Sequence, residues 1–355
     1  MRQFRADSAS AGLMTLARAG LGLEEYMDEA MTLVRSAVPA DGACLSTVDP
    51  STLTLAVAHR HDLDDSGGLD FFFYEYAVPD VAQFVDLSRR NSSIAILFDE
   101  TKGDLQRSDR FRNVIRPLIG AEHELRGVAR RGGTAWGAFA LYRTHGGPGF
   151  DSDEADFLHT LEGVLADGIR AAIVTSTIDA PGATDGGPAI LLFDLDGKLI
   201  DTTESGAVML SRLDDPDYPI PGSVAAVLLR IRRGDDPAPT MRTQDRSGRW
   251  LLLRGTRLRD GSGATTTYAV TIEPAGPADI APLLMSAYGL TPRETAIVQA
   301  MTRGDSTQAI ARALHLSPYT VQDHFKSVFT KLGVSSRREV TSRLFFLLYA
   351  DADLD

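Results

Sequence analysis

The chain has 355 residues, 43% of them hydrophobic, with 36 basic against 48 acidic side chains and a net charge of −12. That length is too great for one core and divides into two or three domains, and the composition is that of a folded chain. The single cysteine, Cys44, excludes an internal disulfide and any multi-cysteine metal site. No apolar run approaches a membrane span and the polar N-terminus lacks a secretory signal, so a cytoplasmic protein with no membrane partner is expected.

Residues 11–178 read as a first domain. Leu23, Met27, Met31, Val34 and Val38 keep to one face of a helix. Strand-like stretches come next, near residues 44–48 and 53–58, parted by the turn-forming Asp49-Pro50-Ser51. Cys44 lies in the first of these, and its apolar setting predicts a buried core thiol. A mixed middle holds the aromatic patch Phe71, Phe72, Phe73, Tyr74 and Tyr76, a helix over 81–89 and a short apolar run at 94–98. Residues 125–130 and 136–142 flank Gly132-Gly133, the pattern of a two-residue hairpin, and a long helix over 152–178 closes the unit.

This order predicts an α+β unit with helices on one side of a sheet. His123-Glu124-Leu125-Arg126-Gly127, with Trp136-Gly137-Ala138 and Leu141-Tyr142-Arg143, resembles a GAF domain of the sort found before LuxR-type domains. The resemblance implies a sensory module that takes a small molecule between sheet and covering loops, or binds only a protein partner. The aromatic patch suits a pocket wall, and suits a plain core at least as well. His59 and His61, two residues apart, and His123 have no acidic or cysteine partners at metal spacing, so neither a metal nor a cofactor is expected.

Residues 179–188 are rich in Pro, Gly, Asp and Thr and read as a linker. A second domain over 189–273 opens with AILLFDLDGKLIDTTES. An apolar strand ending in Asp-x-Asp-Gly resembles the start of haloacid-dehalogenase-type phosphatases. That likeness implies Asp194 as nucleophile on phosphorus, Asp196 as general acid/base and a bridging Mg²⁺; Lys198 stands where that family has threonine. The residues downstream depart from that pattern. The unit is short for a parallel sheet that could supply the other catalytic groups, and Gly234-Asp235-Asp236 on a Pro-rich loop matches them weakly. The other reading is a β-hairpin in which Asp196-Gly197 makes a primed turn between 190–195 and 198–202. Helices over 204–213 and 224–232, then strands near 240–244, 250–257 and 267–272, give an order that resembles a PAS-like sensor or interaction domain, and no enzymatic activity is expected.

Ile280, Leu283, Leu284, Ala287 and Tyr288 make residues 278–289 an apolar connecting helix, suited to pairing across a dimer or docking on the sensor. There is no receiver-like aspartate pocket with a downstream lysine in the expected order, so control by phosphorylation is not indicated.

Residues 290–349 carry successive helix-start signals. Thr291, Pro292 and Glu294 form a capping box with proline at the first helical position, and Ile297, Val298 and Met301 form the inward face. After Gly304, Asp305 and Gln308 repeat the pattern before Ile310 and Leu314; His315-Leu316 turns the chain, and Ser317-Pro318 opens a third helix. There Val321, Phe325, Val328 and Leu332 follow core spacing, while Tyr319, Gln322, Asp323, Lys326 and Thr330 take the opposite stripe. Gly333 suits a left-handed cap. A fourth helix starts at Ser336 with Glu339, and Val340, Leu344, Leu347 and Leu348 line one side. An all-α four-helix unit is predicted.

LTPRE at its start, Gly304, Ile310-Ala311, Leu316-Ser317, Thr320-Val321, His324 and Lys331-Leu332-Gly333-Val334 resemble the helix-turn-helix domain of LuxR-type (NarL/FixJ-like) transcription regulators. The resemblance implies that Gln322, Asp323 and Lys326 face base edges in the major groove of double-stranded DNA, and that Ser317, Thr320, His324 and Lys331 lie near phosphates; Tyr319, Arg337 and Arg338 complete the candidate surface. The chemistry is compatible, since Gln pairs with adenine, Lys donates to guanine and Asp accepts from cytosine. Residues 291–349 hold eight basic and four acidic side chains, a net +4 that leaves −16 for the rest of the chain. A basic end on an acidic body orients the molecule toward DNA, and the modest +4 predicts a homodimer on two half-sites. The expected fold is multidomain: an α+β GAF-like sensor, an α+β PAS-like domain and the all-α helix-turn-helix. The expected function is sequence-specific transcription regulation, with an effector possible at the GAF-like domain. The competing classes are the phosphatase and a protein-interaction scaffold.

Overall fold

The computed structural model describes residues 2–63, 68–144, 146–179, 189–213, 220–234 and 236–349. Nearly all of the predicted linker, Asp235 and the acidic tail after Tyr349 lie outside these residues, as do the side chains of Leu347 and Leu348.

The first unit begins with α1 (Arg2–Leu16), which the polar N-terminal sequence does not announce; Leu13 and Ala9 nonetheless seal it onto α2 (Leu23–Ala37). The hairpin β1 (Gly42–Asp49) and β2 (Thr54–His61) comes next, then α3 (Gly68–Tyr76), α4 (Phe84–Arg89), β3 (Ile94–Ile96) and α5 (Leu97–Glu100). A π-helical stretch, Phe111–Ile115, runs into α6 (Arg116–Ile119). The second hairpin, β4 (His123–Arg131) and β5 (Thr134–Arg143), turns on Gly132 and Gly133 at φ +58° and +79°, the two left-handed residues that a primed turn demands. The helix α7 (Ser152–Asp179) closes the unit.

The five strands pair antiparallel in the order β2-β1-β5-β4-β3. Alternation along β5 sends Phe139 and Leu141 into the core beneath α1, α2 and α7, and Ala138, Ala140 and Tyr142 to the opposite face under α3 and α4. Helices therefore cover both faces, not one as the sequence suggests. Glu124 and Arg126, from the segment that carries the GAF likeness, point into the second layer. Arg126 pairs with Glu75 at 2.7 Å and Glu124 with Arg110 at 2.6 Å, all four side chains fully buried. Desolvation offsets much of the attraction in such pairs, so they add little net stability, while removing one partner strands a buried charge.

The second unit runs β6 (Ala189–Phe193), β7 (Leu199–Thr202), α8 (Glu204–Leu213), α9 (Gly222–Arg233), β8 (Thr240–Gln244), β9 (Trp250–Arg259) and β10 (Thr265–Pro274). Its sheet, β7-β6-β10-β9-β8, repeats the strand order of the first and is antiparallel throughout. The β6–β7 turn differs from the primed turn expected. Only Gly197 is left-handed, at φ +89°, and Leu195, Asp196 and Gly197 form a three-residue loop closed by Gly197 N–H to Asp194 O at 3.1 Å and Asp194 N–H to Lys198 O at 3.0 Å.

The units share one continuous core where α9 meets α3 and β2. Arg242 on β8 reaches across to Asp49 at the end of β1 with a forked contact, Nη2 to Oδ1 at 2.8 Å and Nε to Oδ2 at 2.9 Å. Burial works against the Asp49 carboxylate, yet Arg242 and Ser51 hold its pKa below the usual range. The remaining Arg242 amino group donates to the Asp279 carbonyl at 3.0 Å on α10 (Pro277–Ala287).

Of the two roles predicted for that helix, the structure shows docking on the first α+β unit of its own chain. Ile280, Leu283, Leu284 and Ala287 enter the core of the first unit, and Arg170 on α7 donates to the Ala287 carbonyl at 2.9 Å. Met285, with Ala281 and Tyr288 at its edge, enters the C-terminal core instead. One short helix is thus shared by both ends of the protein.

Candidate nucleic-acid interface

The C-terminal unit comprises α11 (Pro292–Thr302), α12 (Thr307–Ala313), α13 (Pro318–Leu332) and α14 (Arg337–Tyr349). Thr291 caps α11 as the sequence predicts, its hydroxyl accepting from Glu294 N–H while the Glu294 carboxylate accepts from Thr291 N–H at 2.7 Å. The cap of α12 falls one residue later than expected: Ser306, not Asp305, accepts from Ala309 N–H. The turn before α13 places His315 at φ +53°, and Ser317 caps α13 by accepting from Thr320 N–H at 3.1 Å. Gly333 ends it at φ +64°, the left-handed conformation that glycine adopts without strain.

Val321, Phe325, Val328 and Leu332 face inward on α13, packing with Ile297, Val298, Ile310 and Val340. That seals one side of the helix and leaves the other side free. Tyr319 is 81% exposed, and Gln322, Asp323, Lys326 and Thr330 stand in line with it on the surface. Lys326 and Asp323 pair at 3.0 Å with both side chains more than 70% exposed, a contact that water already weakens and that an incoming charge can displace. Ser317 and Arg338 are also exposed, and Thr320 and His324 are half-buried at the rim of the ridge.

Two predicted contact residues are already engaged within the domain. Lys331 places its ammonium 2.6 Å from the Glu294 carboxylate, which is 4% exposed and also accepts from Ser327 at 2.6 Å. Burial alone would raise the Glu294 pKa; the hydrogen bonds from Lys331, Ser327 and Thr291 outweigh it and hold it at about 2. Arg337 lies over the Phe325 ring at 4.8 Å and donates to the Asp305 carbonyl at 2.7 Å. Both cations thus orient α13 against α11, α12 and α14. The pattern of capping boxes identifies Glu294; that its carboxylate also anchors a lysine 37 residues later is visible only in three dimensions.

The other sequence candidates separate. Asp194 accepts from its own turn, from Asp196 N–H at 3.0 Å and Lys198 N–H at 2.9 Å, at the end of an antiparallel strand, which is hairpin chemistry. In the first unit, Phe71 and Phe72 line a cavity of about 100 Å³ together with Leu55, Phe84 and Ala140, while Phe73 faces outward. Cys44 is on that cavity wall rather than in the core, and burial raises the pKa of its thiol. His123 lies on β4, on the far side of β1 and β5 from His59 and His61 on β2.

Residues 288–344 match the family model of bacterial regulatory proteins of the luxR family. A 50-residue stretch, 14% of this chain, is 48% identical to the transcriptional regulatory protein ComA of Bacillus subtilis (strain 168), and the chain spans 23% of that relative's length. Among solved structures, the VqmA–ligand–DNA complex of Vibrio cholera is 16% identical with a TM-score of 0.23, over 46% of this chain and 84% of that one. The GAF domain of an Acinetobacter phosphoenolpyruvate-protein phosphotransferase is 15% identical with a TM-score of 0.32, over 46% and 92%. The phycoerythrobilin-bound GAF domain of a cyanobacterial phytochrome is 14% identical with a TM-score of 0.34, over 47% and 95%. Likeness at TM-scores this low decides nothing about the two α+β units. The C-terminal end is decided by sequence, caps and packing together: residues 288–344 are a LuxR-family helix-turn-helix domain.

Proposed function

We propose that this chain is a sequence-specific, DNA-binding transcription regulator that acts as a homodimer, with residues 11–178 as a GAF-like sensor, 189–273 as a PAS-like module, 278–289 as the connecting helix and 290–349 as the DNA-binding end. The observation that carries the reading is the free polar ridge of α13 on the one basic end of an acidic chain. Gln322, Asp323 and Lys326, with Tyr319 beside them, read base edges in the major groove; Ser317, Thr320, His324 and Arg338 meet the phosphates. Lys331 and Arg337 hold the ridge in position and add to its positive field. With a net charge of only +4, one such end binds weakly, and two copies on half-sites about one helical turn apart supply the affinity.

Control comes from the sensor through α10. The apolar cavity bounded by Phe71, Phe72 and Phe84 suits a small, largely apolar effector, and the wall it shares with β2 leads to the second unit and the connecting helix. The test is selection of bound fragments from the genome by the purified full-length protein, with footprinting of the selected sites. A recurrent motif with two spaced half-sites supports the reading, and indifference to DNA at low salt removes it. Neither the phosphatase nor the scaffold alternative has a comparable observation in its favour: Asp194 is occupied by its own turn, and a scaffold gives the exposed Lys326 and Gln322 no task.

A further inference from the structure

Asp28, His59 and His61 converge at a place that the sensor and DNA-binding readings leave unused. His59 and His61 are two residues apart on β2, so both rings leave the strand on the same side. That side faces α2, which brings Asp28 from 31 residues upstream of His59. The Asp28 Oδ1 atom lies 3.1 Å from His59 Nε2 and 3.6 Å from His61 Nε2, and all three ligand atoms fall within 4.8 Å of one another. The rings meet edge to face, 4.8 Å between centroids at 67°, rather than stacking.

The two separations from the Asp28 oxygen bracket that of a coordination shell. Tetrahedral bonds of roughly 2.0–2.1 Å to nitrogen and oxygen place neighbouring ligand atoms about 3.3 Å apart, between the two separations seen. A simple hydrogen bond explains the His59–Asp28 pair but not the third member, because the buried His61 Nε2 has no hydrogen-bond partner while aimed at the same oxygen. The nearby Arg35 is paired with Asp62 at 2.7 Å, which offsets its repulsion of a cation. Two imidazoles and one carboxylate suit borderline transition ions and are a poor set for magnesium or calcium.

We propose that Asp28, His59 and His61 form a three-ligand site for a divalent transition ion, zinc being the best match. Asp28 is half-exposed, so the remaining coordination position opens toward solvent and takes water or a small anionic ligand. Because β2 is the edge strand of its sheet and its Leu55, Ala58 and Arg60 line the sensor cavity, the ion ties that cavity wall to α2.

The experiment titrates the metal-free full-length protein with zinc chloride by calorimetry and repeats the loading with cobalt, whose visible absorption reports the ligand geometry. One zinc per chain is expected, with His59→Ala, His61→Ala and Asp28→Asn each weakening binding at least about tenfold, and His123→Ala leaving it unchanged. Circular dichroism verifies the fold of each variant; should His61→Ala unfold, Asp28→Asn, which keeps a hydrogen-bond acceptor for His59, decides. Absence of stoichiometric uptake, or uptake indifferent to the ligand substitutions, overturns the proposal.

Discussion

Glu294→Ala probes how α13 is held. The carboxylate is almost fully buried and receives Lys331, Ser327 and the Thr291 amide. A hydrogen bond to a charged group contributes about 1.5–3 kcal/mol and half of a capping box about 1 kcal/mol, so truncation should cost on the order of 3–4 kcal/mol. The depressed carboxyl pKa restates the same contacts as a linkage energy. Holding the carboxyl at about 2 instead of its ordinary 4.5 corresponds to roughly 3 kcal/mol. The sign is fixed because the folded pKa is depressed: this stability is fully present above pH 4.5 and is lost as pH falls toward 2. Hydrogen exchange of the α13 amides measures it locally in the full chain. In Glu294→Ala their protection should fall by about two orders of magnitude, and DNA affinity should fall with it although Glu294 is off the ridge. In Glu294→Gln the acid-dependent loss of protection between pH 4.5 and 2 should be much reduced. Unchanged α13 protection in Glu294→Ala would refute the reasoning, since the ridge would then be held by apolar packing alone.

Arg242→Ala breaks the clamp between the two α+β units and leaves the buried Asp49 without its cation, an expected loss of about 3–5 kcal/mol. Faster proteolysis and exchange at the β1 end and at α10 would confirm it, and an unaltered exchange pattern would show that the units are joined by their shared core alone. Asp194→Asn keeps a carbonyl oxygen for the turn amides and should cost under about 1 kcal/mol, whereas Asp194→Ala should cost about 1 kcal/mol more. The unsubstituted protein should release no phosphate from model esters with Mg²⁺, and turnover that disappears in Asp194→Asn would revive the phosphatase. Arg337→Ala should weaken DNA binding through loss of its Phe325 and Asp305 contacts, with a drop in domain stability that Arg338→Ala does not share; equal stability of the two variants would count against that division of roles.

The C-terminal domain was the most legible part, because its helices are punctuated by local chemistry: Thr291, Ser317 and Gly333 each satisfy an orphan backbone group where the sequence places them. Except for β3, read only as a short apolar run, the strands of both sheets are legible from alternation and turns. What the sequence hid is long-range or without local signature. The helix α1 is polar enough to pass for an irregular terminus, and among its described side chains Ala9 and Leu13 are the sealed ones. Helices on both faces of the first sheet arise from packing that periodicity does not encode. Asp28 joins the histidines only because α2 crosses β2, and Lys331 has a buried partner only because α13 crosses α11. The Asp-x-Asp-Gly run misleads for the opposite reason: the same residues serve a phosphate-transfer site in a parallel sheet and a hairpin turn in an antiparallel one.

DNA affinity of the full-length protein against salt, with Lys326→Ala and Gln322→Ala alongside, is the most direct measurement of whether the α13 ridge enters the groove. Binding to a selected site should weaken linearly with log salt, and each substitution should cost about 1–3 kcal/mol there and far less on unrelated sequence. Equal affinity of all three proteins for that site, or no binding by any of them at low salt, would contradict a DNA-reading role for Gln322 and Lys326.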